Sequence, residues 1–183
     1  MRLSDLNVSQ IRSKALEQAF QVTSGALRVT DPCYEMDVWC AETIEDVRNG
    51  TWLATTGFDQ RGNVACLMIR HESAEAIDSA NASCFRSTDQ EDVSIGVDSG
   101  QAGFFDLAPY KAQADTRGDA SQDTAHSAFY NRVCEITNAK KAFGVIEFGA
   151  VSRSGYGDGD YRLLMRRDAK GSLIAAMIAF IEA

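Results

Sequence analysis

Short runs of β-forming residues, each closed by an aspartate, glycine or proline, recur along this chain and leave little room for helices. Residues 51–72, TWLATTGFDQRGNVACLMIRHE, hold two such runs around DQRG, which reads as a hairpin with its glycine at positive φ. In VSIGVDSG, apolar Val93, Ile95 and Val97 alternate with Ser94, Gly96 and Asp98, as a half-buried strand requires. GALRVTD is a short strand that Pro32 ends, because proline lacks an N–H for the ladder and drives its predecessor to extended geometry. AFGVIEFGAVS, DYRLLMRRD and SLIAAMIAFIE read as three closing strands, the last two joined by the turn DAKG. The final run is apolar on both faces, so it is expected to be central or covered by a helix.

Helical signals are few. Leu3, Leu6, Ile11, Ala15 and Phe20 recur at roughly helical spacing after the capping residues Ser4 and Asp5, which predicts a short amphipathic helix over the first twenty residues. Residues 111–125 are polar and read as a solvated loop, followed by a helix over HSAFYNRVCEITN. About eight strand signals with so few helices predict a β-dominated α+β fold: an antiparallel sheet arranged as a sandwich or open barrel with one or two packed helices. The 183 residues read as a single domain, 1–183, large enough for its own core.

The formal net charge is −8, with 26 acidic residues well dispersed, which argues against direct nucleic-acid binding or an anionic membrane surface. A small polar ligand, a divalent cation or a protein with a basic surface fits that charge better. Five cysteines form no CxxC pair, and their odd number in a chain without a signal-peptide core or a membrane-spanning apolar run points to reduced thiols in the cytoplasm.

No phosphate loop, zinc helix or nucleophile elbow is present. The glycines at 155–159 lack the helix a dinucleotide fingerprint needs, and DGDYRLL lacks the later ligands of a calcium loop. Cys33 has two histidines, His71 and His126, as conceivable bases, but free cysteine is commonly a core residue. What remains is three motifs at predicted strand edges: VTDPCY (29–34), VDSGQAGFFD (97–106) and SGYGDGDY (154–161). Asp and Gly dominate ordinary turns, and that reading stands beside a functional one. If Asp31, Asp98, Asp106, Asp158 and Asp160 share one rim, their repulsion calls for a cation, a basic side chain or a ligand. Tyr34, Ser99, Gly100, Tyr156, Gly157, Gly159 and Tyr161 would complete such a site, with Phe104 and Phe105 as further walls. Strand alternation puts Arg162 and Arg166 on one face and Tyr161, Leu163 and Met165 on the other, so the two arginines either balance nearby carboxylates or grip an anion.

The combination of DPCY, VDSGQAGFFD and SGYGDGDY resembles a family of small, uncharacterised bacterial and phage proteins, a domain of unknown function. The resemblance implies a shared fold and rim and a phage or mobile-element origin; it implies no reaction. With no nucleophile–base pair evident, the leading expectation is a non-enzymatic cytoplasmic protein that binds, and in a phage setting sequesters, a nucleotide-like or other polar molecule. The alternatives are a metal-dependent phosphoester hydrolase using rim aspartates and an acidic protein-interaction module or inhibitor of a host protein. The sequence names no cofactor and no metal.

Overall fold

The computed structural model describes residues 11–75, 93–114 and 125–181, with the backbone alone at 114 and 125–127. In chain order the elements are β1 (Ser13–Lys14), β2 (Gln18–Val22), β3 (Leu27–Thr30), β4 (Glu42–Ile44), β5 (Gly50–Phe58), β6 (Val64–His71), β7 (Ser94–Val97) and β8 (Gln101–Asp106). They continue with α1 (Leu107–Ala114), α2 (Ala125–Asn138), β9 (Phe143–Ile146), β10 (Gly149–Arg153), β11 (Gly159–Arg167) and β12 (Leu173–Ala179).

The strands form two antiparallel sheets, neither closed into a barrel, which makes the fold β-dominated and sandwich-like. The larger sheet runs β1-β5-β6-β12-β11-β7, with β2 also paired to β5; the smaller runs β4-β3-β8-β10-β9. Alternation along each strand decides what faces the interior. Trp52, Leu67, Ile69, Leu163 and Ile178 of the larger sheet meet Leu27, Val29, Phe104 and Ala150 of the smaller in one core. The outer face of the smaller sheet carries Phe105 and Val151, covered by Tyr110 of α1 and by Phe129 and Val133 of α2. Phe105 stacks on Tyr110 with centroids 5.1 Å apart and meets Phe129 edge-on at 5.5 Å. The layers are therefore helices, small sheet, large sheet.

The β5–β6 hairpin turns at Gly62 with φ of 82°, and β11–β12 turns at Gly171 with φ of 86°. The apolar last strand, β12, lies centrally between β6 and β11. Three expectations are corrected. Ser13–Lys14 and Gln18–Val22 are strands, and no helix forms over 11–22: Gln18–Val22 pairs in full with Gly50–Ala54, and Phe20 and Val22 enter the core at the period of two. The remainder of that expected helix lies outside the described residues. AFGVIEFGAVS forms two strands, β9 and β10, because the chain turns at Glu147 and Phe148. Residues 111–114 extend α1 instead of starting a loop; its Pro109 sits in the first turn, where a missing N–H costs no helical bond. Residues 115–124 lie outside the described residues.

Candidate functional site

Among the described residues, the two most buried aspartates are structural clamps. Asp31, just past β3, is 0% exposed. Its carboxylate accepts the N–H groups of Cys33 at 2.9 Å, Asp98 at 2.9 Å and Ser99 at 2.6 Å, and the Ser99 hydroxyl at 2.7 Å. Those last three bonds fix the turn by which the chain leaves β7 in the large sheet and enters β8 in the small one. Asp106, at the end of β8, repeats the device. Its carboxylate accepts the Thr23 N–H at 2.8 Å, the Thr23 hydroxyl at 2.7 Å, the Ser24 N–H at 3.1 Å and the Ser24 hydroxyl, fixing the crossing from β2 to β3. Because Leu27 pairs with Asp106 and Thr30 with Gly103, the clamps lie at opposite ends of the β3–β8 pair. Asp106 therefore does not share a rim with Asp31, so the condition posed for one rim of five aspartates is not met.

The other motif segments do converge at the Asp31 end. The Ser154 N–H donates to the Gly100 carbonyl at 2.9 Å, joining the second motif to the third. Gly159 pairs with Val97 and Asp160 with Gly96, so the next step of the register sets Asp158 opposite Asp98. The glycine loop is braced from within: the Ser154 hydroxyl donates to the Gly157 carbonyl at 2.6 Å, and the Tyr161 hydroxyl to the same oxygen at 2.8 Å. Tyr156 reaches out of it to donate to Asp59 of the β5–β6 turn at 2.8 Å. Asp98, Gly157, Asp158, Gly159 and Asp160 remain exposed, and Ser99 and Gly100 are half-buried.

Two predicted site residues leave the rim. The Tyr161 ring faces the core, edge-on to Phe180 at 5.1 Å, so it is no ligand wall. Arg166 lies six residues beyond Asp160 along β11, roughly 20 Å at about 3.3 Å per residue, too far to share an anion with the glycine loop. Arg162 stands closer, paired with Ser94. Phe104 and Phe105 are both fully buried.

Sequence reasoning named Tyr34 and weighed Cys33 but missed Tyr130, Cys40 and Cys134, which also lie beneath the rim. Burial first, then the neighbouring Cys40 and Asp98, push the pKa of the Tyr34 hydroxyl above the usual phenol value. Tyr130, from α2, is likewise raised by burial and by Cys134, and it also bonds with Ser99. Gln101 donates to Ser99 Oγ at 3.4 Å and to Cys134 Sγ at 3.7 Å. Burial, with the hydrogen bond and charge of Asp31, pushes the Cys33 thiol up to about 12. It stays protonated at neutral pH, the opposite of what a nucleophile needs. His71 is spent elsewhere: it bonds with Ser73 Oγ at 2.7 Å and with the Asn49 carbonyl at 3.1 Å. The His126 side chain lies outside the described atoms. Among the described residues no three His, Cys, Asp or Glu side chains come together as a metal site.

A hollow of about 500 Å³ lies elsewhere, between α2 and the β9–β10 turn, lined by Phe129, Val145, Ile146 and Phe148 with Arg132 and Glu147. The Asp106 N–H donates to the Phe148 carbonyl at 2.8 Å, which places this hollow at the Asp106 end, away from the rim.

A family model described as a protein of unknown function, DUF4241, matches residues 20–178, a span that contains all three motifs. The chain belongs to the DUF4241 family. Searches of curated proteins and of solved structures found no match. The DUF4241 match extends from β2 to β12, so it takes in both sheets and both aspartate clamps. Among the described residues of this DUF4241 chain, no helix is long and apolar enough to cross a membrane.

Proposed function

We propose that this protein is an acidic interaction module that docks its rim on the basic surface of another protein. One observation carries the reading. Where the three motifs meet, the deep carboxylate is consumed by the fold, while Asp98, Asp158 and Asp160 stand in solvent beside Tyr156, itself 47% exposed. A small-ligand site is ordinarily concave and largely apolar, and a hollow of that kind among the described residues is at the other end of the molecule. The metal-hydrolase reading finds no ligand set among the described residues. An exposed group of carboxylates, by contrast, steers a cationic partner and fixes its orientation. A reducing, cytoplasmic setting fits the four free cysteines among the described residues, and a phage setting would suit an inhibitor of a host protein.

The test compares ligand classes on one preparation. A deca-arginine peptide is expected to bind with an affinity that falls steeply between 50 and 200 mM salt, roughly the span over which screening tightens by a factor of two. Replacing Asp98, Asp158 and Asp160 together by asparagine should flatten that dependence without lowering the melting temperature. Nucleotides and Mg²⁺ or Mn²⁺ should leave melting unchanged. A ligand held at 100 times its dissociation constant adds about 2.7 kcal/mol, so stabilisation of that size by a nucleotide or metal, lost in the triple variant, would overturn the proposal in favour of a small-ligand site.

A further inference from the structure

Within residues 32–41, the loop that follows Asp31, Trp39 is 90% exposed. An indole left in water on a floppy loop would mean little, since single exposed apolar side chains are ordinary. This loop is pinned from several sides. Its start is held by the Asp31 carboxylate on the Cys33 N–H and by the Asp31 carbonyl, which accepts from the Tyr34 N–H at 3.1 Å. Its end is held by the Cys40 carbonyl, which accepts from Gly96 of β7 at 2.7 Å. Beneath the middle lies Arg28, only 5% exposed. Its guanidinium donates to the carbonyls of Met36 at 2.9 Å and Val38 at 3.4 Å, and to Thr43 Oγ1 at 3.1 Å. A buried cation spent on the carbonyls of residues just before Trp39 fixes the backbone that presents the indole.

The position of the loop matters as much as its rigidity. A side chain at Gly96 would collide with Cys40, its Cβ lying 3.0 Å from Cys40 Cβ and 3.7 Å from Asp160 Oδ1. Cys40 therefore lies against Gly96 of β7, beside Asp160. Trp39, one residue before Cys40, adjoins the acidic rim, with exposed Asp37 two residues before it. Aromatic residues held rigidly at the centre of a charged surround are the usual energetic anchors of protein interfaces, because little side-chain and loop entropy remains to be lost on binding.

We infer that Trp39 is the anchor of the rim and inserts into an apolar pocket bordered by lysine or arginine on the partner. This rests on the acidic-rim reading and adds to it the pocket the partner must have. A second copy of this chain is a poor occupant: an isologous contact would bring Asp37, Asp98, Asp158 and Asp160 against their own copies in a protein of net charge −8.

The full-length protein, immobilised, is panned against a display library of random twelve-residue peptides. Enriched peptides are expected to combine lysine or arginine with apolar residues. Their synthetic versions should bind Trp39→Ala at least tenfold more weakly and Trp39→Phe with a smaller loss. Acrylamide should quench free Trp39 readily and buried Trp52 poorly, and bound peptide should remove the readily quenched component. Peptides that bind Trp39→Ala as well as wild type, yet lose affinity in the Asp98/Asp158/Asp160 asparagine variant, overturn the anchor and leave the rim reading standing. Selection with no basic enrichment, binding insensitive to the asparagine variant, removes both. Wild-type self-association in sedimentation that Trp39→Ala abolishes assigns the indole to a second copy and also overturns the inference.

Discussion

Aspartate occupies a turn at Asp31, Asp98, Asp106 and Asp158, and sequence context makes the four look alike. Burial and donor count separate them. Asp31 and Asp106 each gather four donors from a crossing connection, whereas Asp98 and Asp158 face solvent. In Asp31→Asn an amide N–H₂ would meet N–H and O–H donors at one of two oxygen positions, and the compensating charge would be gone. Such a change costs roughly 3 kcal/mol. Asp158→Asn and Asp160→Asn are expected to stay within about 0.5 kcal/mol of wild type, since they are exposed and asparagine keeps turn-forming ability. Urea denaturation midpoints check both; an Asp31→Asn midpoint equal to wild type would show that the clamp contributes nothing. Whether the three motifs meet at one end was left open by the sequence; that they lie at strand edges was legible. Which carboxylate holds the fold and which faces solvent was not, because that depends on where the opposing backbone N–H groups point.

At the level of elements, the glycine loop divides in the same way. Gly155 has φ of 73°, and a Cβ there would lie 1.9 Å from the Val64 carbonyl oxygen and 2.8 Å from its carbon. The loop cannot retreat, because Ser154 is bound to Gly100 on one side and Tyr156 to Asp59 on the other. Gly157 has φ of 88° but open space around it. Gly155→Ala should therefore cost about 3 kcal/mol or more, combining overpacking with left-handed strain, and Gly157→Ala only about 1 kcal/mol from the strain alone. Comparing the two midpoints checks this, and equal costs would refute the close approach. Strand existence was readable from the period of two in β7 and β11, and from β-rich or wholly apolar runs in β5, β6 and β12. The first strands were not, because Ile11, Ala15 and Phe20 also satisfy a helical spacing, and only pairing of residues 18–22 with β5 decides between the two. The turn between β9 and β10 was missed because Glu147 and Phe148 carry no glycine or proline signal.

For the whole molecule, the connection from β7 to β8 is the part least visible in sequence. A connection as short as Asp98-Ser99-Gly100 ordinarily joins the two strands of a hairpin, yet β7 pairs with β11 and β8 with β3 and β10. The Asp31 clamp accounts for the difference, since its carboxylate takes the N–H groups of Asp98 and Ser99 and turns the chain from one sheet into the other. Asp106 does the same for β2 and β3, so the sheets are locked together at both ends and share one apolar core. Neither sheet can open without exposing the inner face of the other and breaking a buried carboxylate's bonds. The expected consequence is one cooperative transition. In urea, fluorescence of Trp52, buried in the large sheet, and near-ultraviolet dichroism of the Phe105–Tyr110–Phe129 cluster, which rests on the small sheet, should trace superimposable curves. Separate midpoints for the two probes would show the sheets to be independent folding units and the clamps to be mere turn contacts. In Asp31→Asn the curves should shift together to lower urea, because weakening one lock lowers the stability of both sheets at once.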